Sequence, residues 1–335
     1  MTVLGEGWYA AELGLKLIDD EPLPRWLRRS NPVLRGIALW WRGRQYDIVV
    51  LTGTGTLFRI VMLLERIWPR RERYLVLLQF IPVPARRWAA LRRDPKPKQW
   101  VRLAFQHQIV APVLRSSLAR AHTLSSWEQQ RSAATFGVAL SRFVFLPWPL
   151  SEAYDKCPLY EGRGQRVLAS GRTLCDWPTV FAAAEGQGWD LEIVCTKSDL
   201  RLINRLNVGT LARIRNDIPL EEHRELLREK AVYLLALHES EASSGQVRLM
   251  DAVRGGTPLV ASSVRGLSDY IEDGETALLF NPGDALAARA AVNMILADRE
   301  LSERLSTDAF ERARSRTREG YMKAIQDLIQ SAAAE

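Results

Sequence analysis

Two serines and a glycine stand directly before an apolar-periodic segment in residues 238–263, HESEASSGQVRLMDAVRGGTPLVASS. The pattern predicts a strand that ends before this stretch, then a loop, and then a helix that begins near Gly245 and ends at the glycines 255 and 256. In open α/β sheets ligands bind at such a loop, where exposed backbone N–H groups and the helix dipole favour a phosphate. Plain N-capping by Ser243 or Ser244, which needs no ligand, is the alternative interpretation.

A second stretch, VLASGRTLCDWPT (167–179), is a predicted strand that ends in Ser-Gly-Arg before a short loop and a helix. Gly171 allows a close turn, and the Arg172 guanidinium can bind two phosphate oxygens at once. With the first stretch, this predicts a diphosphate held between a cation and a helix N-terminus, without a metal ion. Asp251, inside the helix of the first stretch, is then placed to bind the two vicinal hydroxyl groups of a ribose.

Apolar, β-branched runs closed by turn residues recur along the chain, and helical patterns lie between most of them. Such runs are typical of strands buried on both faces, and the alternation predicts α/β domains with doubly wound parallel sheets. The predicted strands are 46–53, 74–80, 121–126, 142–148, 166–171, 191–196, 231–237, 258–263 and 277–283, with helices such as 98–121, 177–188 and 220–230. Between residues 9 and 45 the sequence predicts no strand.

The length of 335 residues suits two domains, and the segment 147–165, rich in proline, glycine and polar residues, predicts a boundary that gives domains 1–155 and 156–335. Residues 1–150 carry 23 Lys or Arg and 10 Asp or Glu, against 23 and 29 in the remainder. The basic first half predicts a polyanionic or membrane-surface partner. No apolar run approaches the roughly 20 residues of a bilayer span, and the three cysteines have no metal-binding spacing, which favours a cytoplasmic protein.

Near the start of the chain, GEGWYA (5–10) fits G-x-G-x-x-A, the dinucleotide-binding fingerprint, with the acids 19–21 downstream. Alone the fit is weak, because the fingerprint needs a second strand that ends in the acid. We therefore favour a tight acceptor-side loop containing Gly5 and Gly7. A nicotinamide-dependent enzyme is the alternative.

Tryptophan, leucine and arginine are mixed in the segments 24–44, 66–73 and 85–93. Interfacial segments combine aromatic anchors with cations that attract anionic lipid headgroups, so one interpretation is peripheral binding to the inner face of the membrane. An amphipathic core helix with a solvated face explains the pattern equally well. No nucleic-acid partner is expected, because no binding motif accompanies the charge.

Two groups of residues resemble GT-B-fold glycosyltransferases, particularly glycosyltransferase family 4 (group 1). They are SGR (170–172) and MDAVRGGTPLVASSVRGLSDYIEDGETALLFNPGD (250–284), which resembles that family's ordered series of acidic, glycine and proline motifs. The resemblance covers residues 166–330 well and the first half loosely. It implies the GT-B fold, which is two Rossmann-like domains facing across a cleft, here with a shortened amino-terminal domain.

The resemblance further implies that the carboxy-terminal domain binds a nucleotide-diphosphate sugar and that the amino-terminal domain binds a glycan or lipid-linked acceptor. Asp251 matches the second, ribose-binding glutamate of the family's paired-glutamate motif. The residues matched to the diphosphate contacts are Gly171, Arg172, Ser243, Ser244, Gly245, Gln246 and Val247.

The chain departs from the family where the first glutamate of the pair would stand, because Ser243 occupies that position. Glu241 or Glu239 substitutes for it if the loop is longer by two or more residues, and we assign Arg172 and Glu241 as catalytic. The lysine that usually follows the Gly-Arg pair is also absent. The predicted function is retaining sugar transfer in polysaccharide or glycoconjugate biosynthesis, without a metal or other cofactor. A catalytically silent module that binds a nucleotide-sugar or glycan as a scaffold is the alternative.

Overall fold

The computed structural model describes residues 2–6, 8–18, 31–53, 55–70, 72–80, 97–151, 155–159, 162–209, 211–240 and 242–332. By its contacts the chain divides into two units, one of Met1–Leu146 with Met322–Glu335 and the other of Pro147–Tyr321. This division precedes the boundary expected at residue 155, because the Trp148 N–H donates to the Tyr270 hydroxyl at 2.8 Å and the Leu150 N–H donates to the Arg316 carbonyl at 2.8 Å. The segment after Leu146 therefore contacts the second unit.

The first unit contains a six-stranded parallel sheet in the order β2-β1-β3-β4-β5-β6. Its strands are β1 (Val3–Gly5), β2 (Lys16–Leu17), β3 (Ile48–Thr52), β4 (Leu75–Leu78), β5 (Leu118–Thr123) and β6 (Phe143–Phe145). The helices are α1 (Trp8–Glu12), α2 (Pro32–Gly43), α3 (Thr56–Ile67), α4 (Pro97–Phe105), α5 (Ala111–Ser117) and α6 (Ser126–Phe136), with a π-helical turn at Gln106–Val110. Strands β3 and β4 are apolar on both faces and form the centre of the core.

The second unit contains another six-stranded parallel sheet, in the order β12-β11-β10-β7-β8-β9. Its strands are β7 (Arg166–Ser170), β8 (Asp190–Cys195), β9 (Arg213–Asn216), β10 (Val232–Leu235), β11 (Leu259–Ser262) and β12 (Leu278–Phe280). The helices are α7 (Trp177–Ala184), α8 (Leu200–Leu206), α9 (Leu220–Arg228), α10 (Gln246–Arg254), α11 (Ala285–Ala297) and α12 (Arg299–Ala313). The last helix, α13 (Arg318–Ala332), begins in the second unit and ends among residues grouped with the first.

The strand order of the second unit reverses between its first strand, β7, and its fourth, β10, which are hydrogen-bonded neighbours. In open α/β sheets the crevice for a ligand lies at the carboxyl ends of the strands at this reversal. The loops that leave β7 and β10 are the two stretches in which the sequence predicts a phosphate site. The doubly wound parallel sheets predicted from the alternation of strands and helices are confirmed.

Three elements differ from the sequence-based expectation. β2 lies between residues 9 and 45 and is only two residues long, which is too short to show a strand periodicity. β9 has the sequence RIRN, and its arginines are compatible with a strand because they pair with Asp190 and Glu192 of neighbouring β8. The helix predicted at 98–121 ends at Ser117, where β5 begins.

Candidate functional site

The loop that leaves β7 is held in one conformation by close packing. A Cβ at Gly171 would overlap the Sγ atom of Cys175, so only glycine fits while that thiol occupies this position. Leu174 has a φ of 60°, a left-handed conformation that is rare and strained for a residue other than glycine. Arg172, at the tip of this loop, is exposed and has no hydrogen-bond or ion-pair partner among the described residues. The loop therefore presents an available guanidinium from a fixed backbone.

The loop that leaves β10 is joined to the β7 loop by hydrogen bonds. The backbone N–H of His238 donates to the Leu174 carbonyl at 2.8 Å, and that of Asp176 donates to the Ala236 carbonyl at 3.0 Å. Closer to α10, the Ser244 hydroxyl donates to the Thr173 carbonyl at 3.1 Å. The structure therefore brings the two predicted stretches together on one surface.

Gly245 is the N-cap residue of α10 and makes the sharp entry into this helix. Its φ is +93°, and an added Cβ would lie 2.8 Å from Leu237 Cδ1. Glycine has no side chain to accept the N–H groups of the first turn, and that turn contains no acidic residue. Neither Ser243 nor Ser244 occupies the cap position, so the plain N-capping interpretation is wrong. The open N–H groups of the nine-residue helix α10 favour an anion at this point.

The other residues predicted around the diphosphate lie at the same helix end, with different exposure. Ser243 is buried and packs closely against Gly266, whose added Cβ would lie 3.0 Å from Ser243 Cα. The buried Gln246 donates through Nε2 to the Gly266 carbonyl at 2.9 Å, which ties α10 to the turn after β11. Val247 is exposed. The Gln246 side chain therefore binds within the protein, whereas the backbone N–H groups of Gln246 and Val247 belong to the first turn of α10, which has no side-chain cap.

Asp251 lies in the second turn of α10 and is buried, with 5% of its surface exposed. Its Oδ1 atom is 3.4 Å from Arg224 Nε, and its Oδ2 atom is 3.5 Å from Arg248 Nη1. Burial raises the pKa of this carboxyl, and the nearby Arg224 and Arg248 oppose that rise. Oδ2 and Arg248 Nη1 both lack a hydrogen bond, so their contact is electrostatic only.

These two arginines are the residues that the sequence analysis missed. Arg248 precedes Asp251 by one helical turn, and that spacing was a readable signal for an ion pair. Arg224 comes from α9, which is distant in sequence, so no local pattern connected it with Asp251.

A buried polar network supports the end of β7 from below. The Ser170 hydroxyl lies 2.8 Å from His223 Nε2 and 3.0 Å from the Tyr233 hydroxyl, which also donates to the Ser170 carbonyl at 2.9 Å. Burial, together with the charges of Arg248 and Arg224, lowers the pKa of His223 to about 3. The imidazole is therefore neutral near pH 7 and serves as a fixed support rather than as a cation.

The other residues singled out in the sequence lie in the first unit, outside the described residues or in the loop after β10. Gly5 ends β1 in the first unit, where an added Cβ would overlap that of Ala10, so it serves close packing between strand and helix. Gly7, Glu241 and the acids 19–21 lie outside the described residues. Glu239 Oε1 is 3.3 Å from Arg265 Nε. Within the described ranges no three His, Cys, Asp or Glu side chains are grouped as a metal site.

Comparison with known families identifies the activity. Residues 173–298 match the family described as Glycosyl transferases group 1. The chain carries a glycosyltransferase domain over this range. The matched range begins in the loop after β7 and includes all of α10, so the surface described above lies almost entirely within the family's region. No curated protein matches the sequence.

Several solved structures share the fold over most of this chain. Sucrose-phosphate synthase from Thermosynechococcus elongatus has a TM-score of 0.67 at 16% identity, with 94% of this chain and 81% of that one covered. Anabaena Alr3699/HepE, solved in complex with UDP, has a TM-score of 0.68 at 13% identity, with coverage of 99% and 100%. A glycosyltransferase from Rickettsia africae has a TM-score of 0.67 at 11% identity, with coverage of 98% and 89%. The two Rossmann-like domains that the GT-B resemblance implies are confirmed.

Proposed function

We propose that this glycosyltransferase takes its sugar from a nucleoside-diphosphate donor bound at the carboxyl edge of the second sheet. The observation that carries the proposal is the uncapped N-terminus of α10, joined by the Ser244–Thr173 hydrogen bond to the loop that presents Arg172. A diphosphate there meets backbone N–H donors on one side and a guanidinium on the other. The HepE structures in complex with UDP and with UDP-glucose support a uridine nucleotide as the first donor to test.

Asp251 is proposed to bind the ribose of this donor. Its Oδ2 atom lacks a hydrogen bond, so it has capacity to accept one from a ribose hydroxyl. Because the carboxylate is buried beside Arg224 and Arg248, this contact requires a small shift of the Arg248 side chain away from Oδ2. Burial raises the pKa of Asp251, and the arginines oppose this by favouring the charged form, which is a pure acceptor.

In the proposed reaction, the bond from the anomeric carbon to the β-phosphate oxygen breaks and a bond to an acceptor hydroxyl oxygen forms. The hydroxyl proton passes to water, and the released nucleoside diphosphate carries the new negative charge. Donors aimed at that phosphate lower the barrier because the charge grows in the transition state. Arg172 and the first-turn amides of α10 have this role. The acceptor is a glycan or a lipid-linked molecule, configuration is retained, and no metal is required.

The experiment that tests the donor site is a thermal-shift and calorimetric screen with UDP, GDP, ADP, TDP and their sugar conjugates, with and without EDTA. A ligand at a hundred times its Kd stabilises the fold by about 2.7 kcal/mol. Arg172→Ala is expected to abolish most of the shift, because it removes the only arginine at the loop tip. Arg205→Ala is the matched control, since Arg205 is also exposed and lies at the far end of α8. An equal shift in both variants would place the diphosphate elsewhere, and a loss of binding in EDTA would show that a metal is needed.

A catalytically silent, nucleotide-binding scaffold is the second candidate. It is favoured by one observation, which is that the buried hydroxyl of Ser243 stands where the family has its first glutamate, while Glu239 is paired with Arg265. The two candidates differ in turnover. Release of free sugar or transfer to an acceptor from a donor that the screen has identified supports the enzyme, and binding without either supports the scaffold.

A further inference from the structure

The outer surface of helices α2 and α3 in the first unit is apolar where a soluble helix is usually polar. On α2, Val33, Ile37 and Trp41 follow one another at four-residue spacing and are exposed by 37%, 42% and 65%. Side chains at this spacing lie on one helix face. The opposite face of α2 is already used, because Gly36, Leu39 and Gly43 are buried. The helix therefore has a second, unpartnered apolar stripe in addition to its core face.

Helix α3 extends this stripe into a wider patch. Leu63, Ile67 and the following Trp68 are exposed by 38%, 54% and 55%. The two helices pack closely because Gly36 has no side chain, and an added Cβ there would lie 2.8 Å from Ile60 Cβ. We call the six exposed residues of both helices the apolar patch; they are Val33, Ile37, Trp41, Leu63, Ile67 and Trp68.

Trp40 joins the two parts of the apolar patch into one surface. Its ring centroid lies 6.4 Å from that of Trp41 on α2 and 6.0 Å from that of Trp68 after α3. The ring is fixed from below, because its Nε1 donates to Glu65 Oε2 at 3.0 Å. The Arg44 guanidinium lies 4.5 Å from the same ring centroid and donates to the Trp68 carbonyl at 3.0 Å. Three tryptophans and an arginine thus form a rigid cluster at one end of the patch.

The charges of these two helices are almost all positive. α2 contains Arg35 and Arg42 and no acid. α3 contains Arg59 and Arg66, and its single acid, Glu65, is fully buried. No carboxylate is therefore exposed on α2 or α3, both of which are described in full. Arg35 and Arg42 are half-buried, so the exposed positive charge of these helices and the residue after α2 comes from Arg44, Arg59 and Arg66. This charge is complementary to an anionic surface.

We propose that the apolar patch, with its arginines, is a docking surface for an anionic lipid bilayer. Indole rings prefer the interface between headgroups and acyl chains, and arginines beside them attract anionic headgroups. None of the described helices is long and apolar enough to cross a membrane, so the contact is with the surface. A contiguous apolar patch on a protein marks an interaction site, and its positive border selects an anionic lipid surface over an apolar protein groove. The inference does not depend on the donor site.

The test is flotation of the full chain with vesicles of phosphatidylcholine alone and of phosphatidylcholine with phosphatidylglycerol. We expect binding to the anionic vesicles only, weakened by added salt because the headgroup attraction is screened. Trp41→Ala with Trp68→Ala is expected to lower the partition coefficient by about tenfold or more, equivalent to about 1.4 kcal/mol. Both rings are more than half exposed, so their removal spares the core. Unchanged circular dichroism and an unchanged thermal transition confirm that the variant folds.

Leu211→Ala with Leu286→Ala is the matched control, because both leucines are exposed in the second unit, by 85% and 72%. This control is expected to bind the anionic vesicles as the wild type does. Absence of wild-type binding, or equal loss in both double variants, overturns the proposal. A third result would also overturn it. If the wild type binds no vesicles but forms a concentration-dependent dimer that the tryptophan variant abolishes, the patch is occupied by a second copy of the chain.

Discussion

Gly245 is the residue whose replacement tests the entry into α10 most directly. Gly245→Ala places a side chain at a φ of +93° and puts a Cβ 2.8 Å from Leu237 Cδ1 and 3.3 Å from Leu235 Cδ2. The backbone conformation costs about 1–2 kcal/mol for an L-residue. Overpacking against two buried leucines adds about 1–3 kcal/mol. We therefore expect the free energy of unfolding of the second unit to fall by about 2–5 kcal/mol.

Gly274→Ala separates the two contributions. Gly274 has a φ of +71°, yet an added Cβ there meets nothing within 4 Å. This control carries the backbone cost alone, about 1–2 kcal/mol. The measurement is thermal and urea unfolding of both variants, in which each kcal/mol lowers the Tm of a unit of this size by about 2–4 °C. Calorimetry with the nucleotide found in the donor screen measures the donor affinity of both variants.

Donor affinity is expected to fall in Gly245→Ala, because the clash moves the first turn of α10 and its N–H groups. It is expected to be unchanged in Gly274→Ala. Equal destabilisation by the two substitutions would refute the packing argument. An unchanged affinity in Gly245→Ala, in a variant shown to be destabilised, would refute the placement of the diphosphate at this helix end.

Two further predictions follow from neighbouring residues. Gly171→Ala should destabilise the second unit by about 1–3 kcal/mol, because the new Cβ would overlap Cys175 Sγ. Adding Cys175→Ala should restore most of this stability, since the new Cβ lies 3.9 Å from Cys175 Cβ. Urea unfolding of the single and double variants measures both effects, and equal instability of the two variants would contradict the prediction. The pKa of His223 is about 3 in the folded chain and about 6.5 when unfolded, so the unfolded state binds the proton first and stability falls as pH drops from about 6.5 toward 3. His223→Asn should flatten this fall in unfolding experiments across that range, and an unchanged slope would show that other groups cause it.

The fold could be predicted from the sequence where strands are buried on both faces. β3, β4 and β10 are nearly continuous apolar runs, and no competing pattern obscures them. β9 could not be predicted in the same way, because it lies at the edge of the sheet and two of its four residues are arginines. Its strand conformation depends on acids of β8 that are distant in sequence.

The candidate site could be predicted to the level of its loops. Glycines and a lone arginine after predicted strands identified both loops, because parallel strands place their carboxyl ends at one edge. The sequence could not show that Ser243 is buried or that Ser244 bonds to Thr173, since these follow from tertiary packing. Nor could the sequence predict the contact of Arg224 with Asp251, because the two residues meet only when α9 packs against α10.

The division of the chain gives its synthesis an unusual order. Residues 147–321 form one contiguous unit, whereas the first unit includes residues 1–146 and the last residues from Met322 onward. A growing chain emerges from the ribosome from its amino terminus, and a unit completes its packing only when all its segments have emerged. The second unit can therefore finish folding before the first, because the packing of the first unit is complete only when the end of α13 has emerged. Nascent chains stalled shortly before residue 322 should bind chaperones through the earlier half of the sequence.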